Sequence, residues 1–159
     1  YLSDDGGALS NATLVSLGAM MSVGVALGNI AAGMLGDRHG HRAGILLSIA
    51  LQVCALLLLL ATRGVVSCGA VYCLAGACLG MTNIAHSNIL FETCPHDNRL
   101  AHITTGNIVL GLCATPLPLL AGRMAHVYGL RVVFGISLMC SVAALAWMAR
   151  YLREPRAAR

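Results

Sequence analysis

Lysine is absent from this 159-residue sequence, only six residues are acidic, and charged residues make up 10% of it. A soluble domain carries about a quarter charged residues, so this chain has too few to cover an ordinary water-soluble core. Aromatic residues are scarce as well, at 4%, and no aromatic or basic stripe forms a nucleic-acid face. H-E-x-x-H, G-x-S-x-G and paired carboxylates at catalytic spacing are missing, which argues against an enzyme. The seven cysteines lie mostly in apolar runs and read as small packing residues. Cys68, Cys73 and Cys78 recur every five residues, which is neither a zinc nor a C-x-x-C spacing. No metal or cofactor site is expected. The sequence opens at Tyr1 rather than Met, as a piece of a longer protein would.

What the chain has in abundance is hydrophobic residues, 58% of the total, and glycine, at 18 residues. Charges divide it into five uncharged stretches, with apolar parts at about 12–35, 43–62, 64–91, 100–122 and 132–149. Each reaches the ~17–25 residues that a helix needs to cross a bilayer. A transmembrane barrel needs shorter, alternating segments, and "CALLLLLA" does not alternate. The expected fold class is therefore an all-α membrane protein with five transmembrane helices. Residues 1–11 form a non-cytoplasmic loop, 12–152 the helical domain and 153–159 a cytoplasmic tail.

The arginines orient it. One side holds Arg38, Arg42, Arg99, Arg150, Arg153, Arg156 and Arg159; the other holds Arg63, Arg123 and Arg131. The richer side is cytoplasmic by the positive-inside rule, with Trp147 and Tyr151 at an interface. Segments one, three and four carry Asn29, Asn83, His86, Asn107 and many glycines, whereas two and five are nearly pure apolar. Small and polar residues favour helix contacts in lipid, so one, three and four are expected inside, with two and five outside. Pro116 and Pro118 each remove a backbone donor and predict a kink in the fourth helix. Asn11-Ala12-Thr13 fits a glycosylation sequon, too near the membrane to suggest a role.

The charge that remains is concentrated in "GMLGDRHGHR", residues 33–42. Gly33, Leu35, Asp37, Arg38, Gly40 and Arg42 resemble the loop signature G-x-L-x-D-R-x-G-R-[RK] of the major facilitator superfamily (MFS), with His41 standing where Arg or Lys is usual. Glu92, Pro95 and Arg99 in "ETCPHDNR" resemble the E-x-x-P-x-x-x-R pattern found two helices later in the same family. Physical reasons for these residues exist without the family. Asp37 sits at a helix C-terminus, where the dipole disfavours a carboxylate, so it needs a partner outside its own helix. Gly40 permits the positive φ of a short turn, and Gly33 permits close approach of another helix.

The resemblance implies five helices of a six-helix MFS half-bundle. Cys73 and Leu74 stand where the N-terminal half often has a membrane arginine, and the chain ends soon after its last helix; both fit a C-terminal half. It further implies an integral, multi-pass protein of the bacterial inner (plasma) membrane that moves a small solute by alternating access. Its partners would be the solute, a coupled proton, the lipid bilayer and the missing N-terminal half. In such a protein Gly33, Asp37, Arg38, Gly40, Arg42, Glu92 and Arg99 act as a conformational latch on the cytoplasmic side. Asn29, Asn83, His86 and Asn107 are the candidate cavity residues, because polar groups inside a membrane are functional suspects. The alternative is a truncated, non-transporting membrane protein or a structural partner subunit.

Overall fold

A computed structural model describes residues 10–62, 64–94 and 96–152. Residues 1–9 of the expected first loop, Arg63, Pro95 and the tail arginines Arg153, Arg156 and Arg159 lie outside the described residues. The chain forms α1 (Asn11–His39), α2 (His41–Ala61), α3 (Val65–Thr93), a short 3-10 turn (His96–Asn98), α4 (Arg99–Ala114), α5 (Pro116–Tyr128) and α6 (Leu130–Tyr151). Among the described residues there is no strand. Counting α4 and α5 as one 30-residue span, five helices among the described residues are long and apolar enough to cross a membrane. The shortest has 21 residues, which gives about 31 Å at 1.5 Å per residue, the thickness of a hydrocarbon core.

The helices overrun the apolar stretches. α1 continues through Asp37 and Arg38 to His39, and α5 continues through Arg123 to Tyr128. Backbone hydrogen bonding has no reason to stop where side chains become polar, and arginine stems can lie along the helix with their heads in water. Glycines end both helices. Gly40 has φ 81° and ψ 164°, and Gly129 has φ 84° and ψ 157°. That region is essentially open to glycine alone. Each also caps the helix before it: the Gly40 N–H donates to the Gly36 carbonyl at 3.2 Å and the Gly129 N–H to the Ala125 carbonyl at 2.9 Å. At the start of α1, the Thr13 N–H donates to the Ser10 hydroxyl at 3.2 Å, an N-cap that places the Asn11-Ala12-Thr13 sequon in the first helical turn.

The core is the parallel pair α1 and α3. Gly24, Gly28, Ala32 and Gly36 recur every fourth residue on α1 and are buried; Gly76, Gly80 and Ala85 are buried on α3. The two glycine pairs interlock. A Cβ at Gly24 would overlap the Cys73 carbonyl, and one at Gly28 the Ala77 carbonyl. In return, a Cβ at Gly76 would overlap the Met21 carbonyl, and one at Gly80 the Val25 carbonyl. Backbones in direct contact are how small residues hold helices together in lipid, where water supplies no hydrophobic drive.

The expected layering needs correction at two helices. α2 is not an outer helix: it packs on α1, α3 and α6 and buries His41, Gly44, Ser48, Ala55 and Leu56. The reason is a face of small residues within the apolar run. Gly44 sits opposite Ala85, where a Cβ would come to 3.2 Å from the alanine methyl. Nor do the residues of the fourth span lie inside. α4 and α5 have no buried residue; α4 meets α3 only slightly, and α5 leans on α6. Between them Thr115 keeps helical angles (φ −56°, ψ −44°), and its N–H donates to the Gly111 carbonyl at 2.9 Å just before Pro116. Thr115 donates its hydroxyl to the Gly111 carbonyl at 2.7 Å. Similar bonds run from Ser48 to Ile45 at 2.8 Å, from Ser22 to Gly18 at 3.2 Å and from Ser141 to Ser137 at 2.8 Å, so these hydroxyls are satisfied within their own helices.

Candidate functional site: the turn between α1 and α2

The turn is built from the glycines outward. Because Gly40 reverses the chain in one residue, the first residues of α2 fold back beside the last turn of α1. The His41 ring crosses Gly36 so closely that a Cβ there would sit 2.6 Å from its Cε1 and Nδ1. His41 is thereby buried, at 6% exposure. Its Nε2 lies 3.5 Å from Oε1 of Glu92, in the last turn of α3. The two motifs, more than fifty positions apart in sequence, thus meet at His41 and Glu92.

Arg42, one residue on, turns the other way. Its Nη2 donates to the Ala149 carbonyl at 2.8 Å, near the end of α6. A guanidinium suits that place because the last carbonyls of a helix lack intrahelical partners and carry the negative end of the dipole. So adjacent residues of one turn hold α3 and α6.

Asp37, Arg38 and His39 point the remaining way and are exposed. Asp37 makes no ion pair or hydrogen bond among the described residues, although its helix-end position calls for one. Gly33 has nothing within 4 Å of a built Cβ. Arg99 opens α4, and its guanidinium lies 5.9 Å from the centre of the Phe91 ring, within cation–π range.

The candidate cavity residues are less gathered. Asn29 reaches from α1 to α3: a Cβ at Gly80 would lie 2.9 Å from its Oδ1. Asn83 follows on the next turn of α3 and is exposed, and His86 is half-buried. Asn107, on α4, is exposed. None of the four side chains forms a hydrogen bond among the described residues. Pro116 and Pro118 both fall in the first turn of α5.

Sequence reading missed three parts of this site. His41 looked like a departure from a basic position, yet it is the residue that meets Glu92. Gly36 carried a legible signal, since a glycine four residues before a chain reversal leaves room for a returning ring. The Arg42 bond to α6 left no trace, because a backbone carbonyl acceptor has no sequence identity.

The class of protein is plain at this point: a multi-pass helical membrane protein whose charged turn ties the ends of three helices. The profile of the Major Facilitator Superfamily matches residues 3–159, and the chain belongs to that family of transporters. Comparison with curated proteins and with solved structures finds no match.

Proposed function

We propose that this chain forms one half of a secondary transporter of the bacterial inner membrane and moves a small solute by alternating access with a second helical half. The observation that carries this reading, beside family membership, is the uncovered state of α4. Where α1 meets α3, glycines are consumed in contact; on α4, Gly106 and Gly111 have nothing within 4 Å of a built Cβ. Residues that enable close helix packing in lipid therefore lie on a face that other helices can cover. Asn107 shares this helix. Asp37 and Arg38 face outward from the turn, as a latch onto another half requires, and Pro116 and Pro118, which lack a backbone donor, supply a site for bending in the rocking motion.

Asn29, Asn83 and His86 line the proposed solute path, and His86 carries the coupled proton. No described span holds a carboxylate short of its ends, and imidazole is the side chain that changes charge near neutral pH. The test is reconstitution of the complete protein in proteoliposomes with a panel of sugars, organic acids and cationic drugs. Transport of at least one class is expected, accompanied by a lumenal pH change. In His86→Gln that pH change disappears while solute exchange persists. If the folded protein moves none of the panel, the reading as a non-transporting partner subunit takes its place.

A further inference from the structure

The corner between α3 and α4 joins a cationic group to an apolar wall at one edge of the bundle. α3 ends at Thr93 and α4 begins at Arg99, and each belongs to a span that can cross a membrane. The ends of such spans sit at the depth of lipid head groups. An open cavity of about 540 Å³ lies at this corner, within the ~300–1,000 Å³ common for ligand pockets. Its lining includes Phe91 from α3, Asp97 and Asn98 from the 3-10 turn, and Arg99, Leu100 and Ile103 from α4.

Arg99 rests against the Phe91 ring, 5.9 Å from its centre. Its guanidinium makes no hydrogen bond or ion pair among the described residues, and its Nε is shut off from solvent. A shielded donor without an acceptor costs free energy that a bound acceptor restores, and the guanidinium fork matches carboxylate or phosphate oxygens. Asp97 lines the same cavity, yet it is exposed and forms no ion pair among the described residues. Beside the guanidinium, Phe91 and Leu100 are 48% and 80% exposed, and Ile103 is half-buried. A cation above an apolar wall, at head-group depth, complements an amphiphile with phosphate at the boundary and hydrocarbon below it. The Asp97 carboxylate selects among phosphates. A phosphodiester carries a single negative charge and a phosphate monoester about 1.5–2, so the diester is repelled less.

We propose that this corner binds a membrane phospholipid, with Arg99 holding the phosphodiester and Phe91, Leu100 and Ile103 carrying an acyl chain. The site rests on the membrane spans and not on the transport reading. The probe is palmitoyl-oleoyl phosphatidylglycerol, whose only charge is its phosphodiester. The complete protein is delipidated in maltoside detergent and titrated with this lipid, and native mass spectrometry counts the lipid bound. Arg99→Gln weakens the tightest binding on the order of ten-fold, the effect of losing charge-assisted hydrogen bonds. Arg99→Lys keeps the charge without the fork and weakens it less. Arg150→Gln, at an exposed arginine in the last turn of α6, leaves it unchanged. On the wild type, the same lipid with a photoreactive diazirine in its acyl chain labels the end of α3 or the first turn of α4.

Glycerophosphoglycerol, the same head group without chains, separates the two sources of phosphate. It binds on the order of a hundred-fold more weakly than the lipid, because it buries no hydrocarbon. Ile103→Ser weakens the lipid and leaves the free head group unaffected. Equal affinity for the lipid and its free head group overturns the lipid and assigns the corner to a soluble phosphate. Unchanged affinity in Arg99→Gln, or an equal loss in Arg150→Gln, reduces the effect to general attraction by basic residues and overturns the site. Labelling confined to other segments means that another element covers this corner, and overturns it too. The labelling is read on the wild type, so a variant that fails to fold leaves the decision intact. Solute transport enters none of these measurements, so the lipid site and the transport reading stand or fall separately.

Discussion

Gly40 shows how one residue governs the site. At φ 81° and ψ 164° it occupies a region costing any other residue about 1–3 kcal/mol, and the His41 and Arg42 contacts both depend on its reversal. Gly40→Ala is expected to lower stability by that amount, read as a lower Tm in detergent. It should also speed hydrogen exchange of residues 36–42 in the complete protein. A cost below about 0.5 kcal/mol would mean that the turn relaxes into an ordinary conformation. The need for glycine here was legible in the sequence, as a glycine between two helical runs. The partner of Glu92 was not, because whether His41 points at α3 or at water depends on the space that Gly36 leaves.

At the scale of elements, the α1–α3 contact is the stiffest feature, since main-chain atoms meet there and cannot rotate away as side chains do. Gly28→Val or Gly76→Val is expected to destabilise the bundle by about 3 kcal/mol, the upper end of overpacking costs. Loss of resistance to denaturing detergent would report it. Gly69→Val on the same helix, where nothing lies within 4 Å of a built Cβ, should stay within about 0.5 kcal/mol. The positions of the apolar spans were readable because lipid demands long, uncharged, helical segments. The inward role of α2 was not, since Gly44, Ser48 and Ala55 are small in any environment and only their burial, with Gly44 opposite Ala85, reveals the face. The chain also uses one junction twice: Gly40 is followed by Arg42 and Gly129 by Arg131, with nearly the same backbone angles at both glycines.

At the scale of the whole molecule, the buried residues among those described lie on α1, α2 and α3 and at Gly40 between the first two, while α4, α5 and α6 bury none. If α4 faces a second half, Gly106→Leu or Gly111→Leu should leave the helical content of the complete protein unchanged. Each should slow transport about ten-fold, the consequence of ~1.4 kcal/mol at a helix contact. Unaltered transport in both variants would remove α4 from the interface between halves. By itself, the sequence determined that this chain is a helical membrane protein with five spans, that its charge collects in turns, and that two of those turns resemble family motifs. These features follow from the bilayer, which constrains composition and segment length one residue at a time. Only the tertiary structure decided that His41 meets Glu92, that Arg42 holds the end of α6, and that α2 belongs to the packed core. Those contacts join residues far apart in the chain, through backbone carbonyls and vacant space, and neither has a letter in the sequence.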